Sequence, residues 1–224
     1  MTVLTLYGTP LSSPANKIRF LLNRLGIQYE YKTINLAARQ QKTPEFLKIN
    51  PYGKVPALDD NGFKLAESGT ILRYLANKYP SSLYPQKLEE RAIVEQWMDF
   101  AANHIGIATS KVMYNTFFHQ LAGVSKDERS LKEGFLWLNA YLPILEQQLS
   151  QYTYIASSEL SIADFGLLAA LDVIDLIKVD LSPYPYLQAW RQKLMQERFY
   201  QACHSSYIAV FKKYVGPLFE DLAI

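Results

Sequence analysis

Cysteine occurs once among the 224 residues, as Cys203, and histidine three times, as His104, His119 and His204. A lone thiol excludes an internal disulfide framework and a thiolate metal site. The histidines have no ligand spacing, so no bound metal is expected. An excess of either charge is missing too: 23 Lys and Arg face 21 Asp and Glu, a net charge of +2. That balance gives no electrostatic case for nucleic acid or an anionic membrane. The N-terminus has no basic segment leading into a long apolar run, and no stretch reaches transmembrane length. The expectation is a soluble, cytoplasmic protein with neither a membrane nor a nucleic-acid partner. The chain is long enough for one large or two modest domains with ample core.

The densest local signal runs from Ile49 to Leu75, INPYGKVPALDDNGFKLAESGTILRYL. Short apolar runs at Val55 to Leu58 and Phe63 to Leu65 flank Asp60-Asn61-Gly62, and Asn-Gly supplies the positive φ angles of a tight hairpin. Glu67-Ser68 then opens a helix with Ile71, Leu72, Leu75 and Tyr79 on one face, Ser68 being a suitable N-cap. Pro56 is tolerable only at the start of its strand, where its missing N–H leaves the backbone of Val55 free for another partner. Lys54, Val55 and the Glu67-Ser68 helix start therefore form polar stations along one ridge. An extended, doubly charged peptide would suit them.

Upstream, Val3 to Tyr7 reads as a first strand, Thr5 and Tyr7 facing one way and Leu4 and Leu6 the other. The chain turns at Gly8 to Leu11. Ser13 can cap the next helix with Pro14 in its first position. Ile18, Leu21, Leu22 and Leu25 form the apolar face of that helix, and Gly26 ends it. Tyr29 to Asn35 is a second strand, and Thr43 to Lys48 a short helix. Residues 80–87 are a linker by composition. Beyond them strand signals vanish, and the period becomes helical, as in Ile93, Trp97, Phe100 and His104, or Phe135, Leu138, Leu142, Leu145 and Leu149. His104 reads as a satisfied interior histidine. In Leu160 to Phe165, Ser161 and Asp164 have capping-box spacing with Leu160 stapling to Phe165. The residues from there to Ile177 are apolar almost all round, the mark of a buried helix. Asp164 is read as a structural cap, with a buried functional acid as the other reading.

The ordered set KVPAL, hairpin, ES and helix resembles the glutathione-binding half of the soluble glutathione transferases, and the capped helix at Ser161 resembles a hallmark of that family's second domain. The resemblance implies an α/β thioredoxin-like domain over residues 1–79, in the order βαβ-α-ββα, and an all-helical domain over 88–224. It implies a cis peptide before Pro56, backbone pairing of Val55 with the cysteinyl part of glutathione, and Glu67 and Ser68 on the γ-glutamyl end. Gln41 and Lys54 would meet the glycyl carboxylate. Redox members of the thioredoxin fold carry Cys-x-x-Cys where this chain has Ser12-Ser13-Pro14-Ala15. Disulfide exchange therefore lacks its protein thiolate.

Glutathione must be held as its thiolate to attack an electrophile. Lowering a thiol pKa of about 8.5 by two units asks for roughly 2.7 kcal/mol. A hydroxyl donor and the positive end of the first helix could supply it. Tyr7, Ser12 and Ser13 are the candidates. Leu11-Ser12-Ser13-Pro14 resembles serine-type theta and delta-like bacterial members, whose catalytic serine lies two before the proline. That favours Ser12, with Tyr7 as runner-up. Ala15-Asn16 departs from the cysteine-arginine common there.

The electrophile is expected between the domains, near Leu11, Met113, Tyr114 and Phe118, with Phe117, Tyr207 and Phe211 as further aromatic neighbours. Tyr52 lies where several family members place an aromatic dimer key, which points to a homodimer. The expected function is glutathione S-transfer to a hydrophobic electrophile. A glutathione-dependent peroxide or disulfide reductase and a non-catalytic binding module on the same fold are the alternatives.

Overall fold

The computed structural model describes residues 4–204 and 206–215. Val3, the expected first residue of the opening strand, lies outside them. Strand β1 (Leu4–Gly8) is central, pairing parallel to β2 (Glu30–Thr33) and antiparallel to β3 (Ala57–Asp60). β3 pairs with β4 (Phe63–Ala66), giving the sheet order β2-β1-β3-β4. The alternation expected of β1 is present: Leu6 is fully buried in the main core, whereas Tyr7 packs with Phe46, Ile34 and Ala57 in a separate small cluster. Asn61 (φ 55°) and Gly62 (φ 92°) make the tight hairpin turn. The Val55–Pro56 peptide is cis. Pro56 stands just ahead of β3, so it removes no ladder hydrogen bond.

Helix α1 (Ser13–Leu25) crosses between β1 and β2, and Gly26 ends it in the left-handed region. Its N-cap is Ser12 rather than Ser13: Ser12 Oγ accepts from the Ala15 N–H at 3.2 Å. Both serines can cap and proline suits the first or second helical position, so composition alone could not fix the phase. Helix α2 (Pro44–Leu47) follows a 3₁₀ turn at Gln40–Lys42. In α3 (Ser68–Lys78), Ser68 is the first helical residue and Glu67 precedes it at φ 65°, so Ser68 is not the cap.

Among the described residues the second half holds helices joined by turns and no strand: α4 (Leu88–Phe100), α5 (Gly106–Met113), α6 (His119–Leu121), α7 (Glu128–Gln151), α8 (Ile162–Leu171), α9 (Pro185–Met195), α10 (Arg198–Gln201) and α11 (Tyr207–Tyr214). Two π-turns, Ala101–Ile105 and Tyr114–Phe118, join α4, α5 and α6 into one rod. The buried stripe of this rod is Val94, Trp97, Ala101, Ile105, Ala108 and Val112. His104 therefore faces outward, stacked between Phe100 and Tyr141, and is not interior. Phe135 is likewise at the surface of α7, while Leu138, Leu142, Leu145 and Leu149 are buried.

Asp164 is the polar knot of the helical half. Its side chain is fully buried and accepts from Ser161 N (2.9 Å), Ser161 Oγ (3.0 Å), Ile155 N (2.9 Å) and Trp190 Nε1 (3.0 Å). Burial pushes its carboxyl above the usual range while these donors oppose the shift. Ser161 and Asp164 have capping-box geometry at the start of α8, and the same carboxylate also ties α8 to α9. Helix α1 packs on α3 from its own half and on α8 and α10 from the other. Asn23 Nδ2 donates to the Phe199 carbonyl (3.0 Å) and Arg19 Nη2 to the Cys203 carbonyl (3.2 Å).

Candidate active site

A cavity of about 710 Å³ opens between the N-terminus of α1 and the rod α4–α6. Ser12, Ser13, Pro14 and Lys17 of the α1 region and Ser68 of α3 form one wall. Met98, Ile107, Met113, Tyr114, Phe118 and Val173 are among the apolar side chains opposite. The expected electrophile residues Leu11, Met113, Tyr114 and Phe118 thus meet on one space, with Tyr207 beside them. Phe117 and Phe211 do not line it; they stack on each other at 4.9 Å within the core. Both π-turns contribute residues to the cavity wall, where an extra residue per turn widens the rod.

The turn before Ser12 is braced from three sides. Ser12 N–H donates to the Thr9 carbonyl (2.9 Å), Asn16 Nδ2 to the Pro10 carbonyl (3.0 Å), and Tyr207 Oη to the Leu11 carbonyl (2.8 Å). Ser12 Oγ spends a lone pair on Ala15 N–H, which leaves its own proton free to be donated. Tyr7 is placed otherwise. It lies edge-on to Phe46 at 6.1 Å, on the sheet face away from α1, and does not line the cavity.

Along the ridge, Val55 is half-buried, and neither its N–H nor its carbonyl is engaged by a hydrogen bond among the described residues. Asn50 shapes this segment, donating Nδ2 to the Lys54 carbonyl (2.7 Å) and accepting from Tyr52 N (3.0 Å). The Lys54 side chain is exposed, and Gln41 is half-buried with Oε1 unpartnered among the described residues. Glu67 is exposed, held at its positive φ where its carbonyl accepts the first helical bond from Ile71 N (2.9 Å). A strained non-glycine residue that costs energy to hold is a feature of functional sites. Tyr52 is 60% exposed at the tip of this loop.

Sequence reasoning missed Lys17, which sits on the Ser13 side of α1 one turn on and lines the cavity. A lysine on an amphipathic helix reads as solvent-facing; only the wall opposite shows otherwise. Burial and the neighbouring Arg73 push its ammonium down to about 8, while Glu67 and Asp99 act the other way. Cys203 is remote from the cavity, its Sγ 3.2 Å from Asn23 Nδ2, and burial pushes its thiol up to about 12. Among the described residues, no cluster of three or more His, Cys, Asp or Glu could hold a metal ion, and no helix is long and apolar enough to cross a membrane.

These features define a thioredoxin-like sheet domain followed by a helical domain, with a ligand cleft at the first helix N-terminus. The family described as "Glutathione S-transferase, N-terminal domain" matches residues 2–77, and "Glutathione S-transferase, C-terminal domain" matches 100–197. Glutathione S-transferase D7 of Anopheles gambiae is 33% identical over 86% of each chain. The solved glutathione transferase E6 of Drosophila melanogaster superposes with a TM-score of 0.83 at 31% identity, covering 94% of this chain and 96% of its own. Glutathione S-transferase-I bound with lactoylglutathione superposes with a TM-score of 0.81 at 30% identity, covering 90% and 98%. The chain belongs to the glutathione S-transferases. It is a glutathione transferase, and glutathione is its co-substrate.

Proposed function

We propose that the enzyme is serine-type, with the Ser12 hydroxyl donating to the glutathione sulfur and holding it as the thiolate that attacks an apolar electrophile in the cavity. The observation that carries this reading is the placement of Ser12: it caps α1, keeps its proton free, and lines the cavity. The positive end of α1 adds a favourable field for an anion. Val55 offers unpaired backbone groups for the cysteinyl unit, as the ligand-bound neighbour's glutathione moiety would need. Glu67 and Ser68 receive the γ-glutamyl end, and Gln41 and Lys54 the glycyl end. Delta-class naming among the similar structures supports the serine type. The boundary between the halves falls at residues 80–87, the segment between α3 and α4. The exposed Tyr52 is the key of a homodimer, and the cytoplasm is the expected compartment.

A reductase working through a protein thiol is disfavoured by Cys203, which is protonated and remote. The deciding experiment follows the absorbance of the bound thiolate as pH is raised. Its midpoint should lie below that of free glutathione and move up by about one unit or more in Ser12→Gly, a change worth about 1.4 kcal/mol per unit. Glycine is chosen because it keeps most of the cap. Tyr7→Phe should leave the midpoint in place. The reverse pattern overturns the serine assignment. Sedimentation of wild type and Tyr52→Ala checks the dimer and its key.

A further inference from the structure

Lys17 and Lys111 line the cleft, Arg73 acts on Lys17 electrostatically from α3, and Arg73 and Lys111 are already committed. Arg73 Nη2 is paired to Asp99 at 2.8 Å, with its Nε 3.6 Å from Glu95. Lys111 Nζ is 3.2 Å from Glu133 and 3.3 Å from Ser130 Oγ. Lys17 lines the same cavity, and its ammonium has neither an ion pair nor a hydrogen bond among the described residues. A partly buried ammonium facing a largely apolar cavity is costly unless something negative arrives to meet it.

The surroundings of Lys17 narrow what that is. Ser68, first residue of α3, lines the cavity with it, and the N–H groups of a helix's first turn are a second positive feature. Glu67, just ahead, is exposed and unpaired with it: the two act on each other electrostatically but lie beyond ion-pair distance. An unpaired cation and an unpaired anion set apart at one helix start match a ligand end that carries both charges on one carbon, a free α-amino acid head. We propose that Lys17 binds the α-carboxylate of the γ-glutamyl end of glutathione, with Glu67 taking the ammonium beside it. This rests on the glutathione reading above and adds a residue to it. The lowered Lys17 pKa fits, since burial and Arg73 weaken the ammonium until a carboxylate neutralises it. A carboxylate borne by the electrophile has the same chemistry and could reach the same ammonium, so the test separates the two sources.

The test crosses two protein forms with two peptides. Titration calorimetry compares glutathione with 4-aminobutyryl-cysteinyl-glycine, which keeps the amine and lacks only the α-carboxylate. Wild type should bind glutathione ten- to a hundred-fold more tightly than the analogue, the worth of a charged hydrogen-bonded pair. In Lys17→Met the two peptides should bind within about twofold of each other, and Lys17→Arg should restore most of the preference. A structural role for Lys17 would weaken both peptides alike, and that result overturns the proposal. So does an unchanged preference in Lys17→Met. If glutathione KM is unaltered in Lys17→Met while KM rises only for an electrophile bearing a carboxylate, the ammonium serves the electrophile and the γ-glutamyl assignment is wrong. Failure of wild type to bind glutathione would instead overturn the glutathione reading itself.

Discussion

Tyr207, on the last described helix, donates its hydroxyl to the carbonyl of Leu11 at 2.8 Å, 196 positions earlier in the chain. This bond fixes the residue immediately before Ser12 from the opposite half of the molecule. Tyr207 is buried, and burial pushes its phenol above the ordinary range, so the donor keeps its proton at every working pH.

Tyr207→Phe should therefore loosen the turn that aims Ser12 without touching the peptide ridge. Loss of the bond should cost about 1 kcal/mol of stability. Turnover should fall more than glutathione affinity does if Ser12 is the proposed donor to the ionised sulfur, since only that donor is displaced. Steady-state kinetics with denaturant midpoints on the same variant check both halves. A fall in glutathione affinity with turnover preserved would contradict this.

Glu67 combines a positive φ with the ligand role proposed for it, and two substitutions separate them. Glu67→Ala and Glu67→Gly should both weaken glutathione binding ten- to a hundred-fold, as loss of a charged partner does. Glu67→Gly should in addition be the more stable of the pair by about 1 kcal/mol, because glycine adopts φ 65° without a clash. Binding to immobilised glutathione and thermal melting of the two variants are the measurements.

Asp164→Asn should be among the most damaging single changes in the helical half. Four donors converge on the carboxylate, and an amide would present its own N–H groups to some of them. Breaking a buried charged network by removing one member costs about 3 kcal/mol or more. Glutathione affinity in the surviving folded fraction should be nearly normal, because the site lies elsewhere.

Asp60 supplies the acid-side sensitivity. Burial works against its charge, but hydrogen bonds from Lys78 and from Tyr74 Oη (2.7 Å) outweigh it and hold its pKa below the usual carboxylate value of 3.8. A depressed carboxylate contributes stability that is fully present above pH 3.8 and lost as pH falls through the lower folded value. Because Lys78 is about a third exposed, the contribution is about 1 kcal/mol. Urea midpoints should separate wild type from Asp60→Asn at pH 7 and draw together only as pH falls below 3.8, through the depressed folded value.

The ridge was legible in the sequence because each piece has a stiff local cause. Asn61-Gly62 demands a hairpin and Pro56 cannot sit mid-strand; outside the ridge, Ser161 with Asp164 has the spacing of a box. Those causes act over a few residues and survive any tertiary context. The phase of α1 was less legible because Ser12 and Ser13 are equally good caps, so the helix start is fixed by the turn bonds to Thr9, Pro10 and Leu11. His104 was misplaced because the actual stripe runs through Ala101 and Ile105, small and aliphatic residues beside more conspicuous aromatics. Lys17 was invisible, since its meaning depends on a wall built from α4 onward.

Helix α1 carries Ser12 and Lys17 on one side and is gripped on the other by Phe20 against Phe199 (5.7 Å) and Tyr200 (5.3 Å), with Asn23 and Arg19 bonded to the backbone beyond them. The helical half is therefore not an interchangeable cassette for new electrophiles. A chimera joined within residues 80–87 would set a foreign helical surface against Arg19, Phe20 and Asn23. It would tilt the helix that aims the hydroxyl, unless these three positions travelled with the transplant. Recombination between relatives should tolerate exchange of the cavity rim, around Tyr114 and Phe118, long before it tolerates exchange of the whole half.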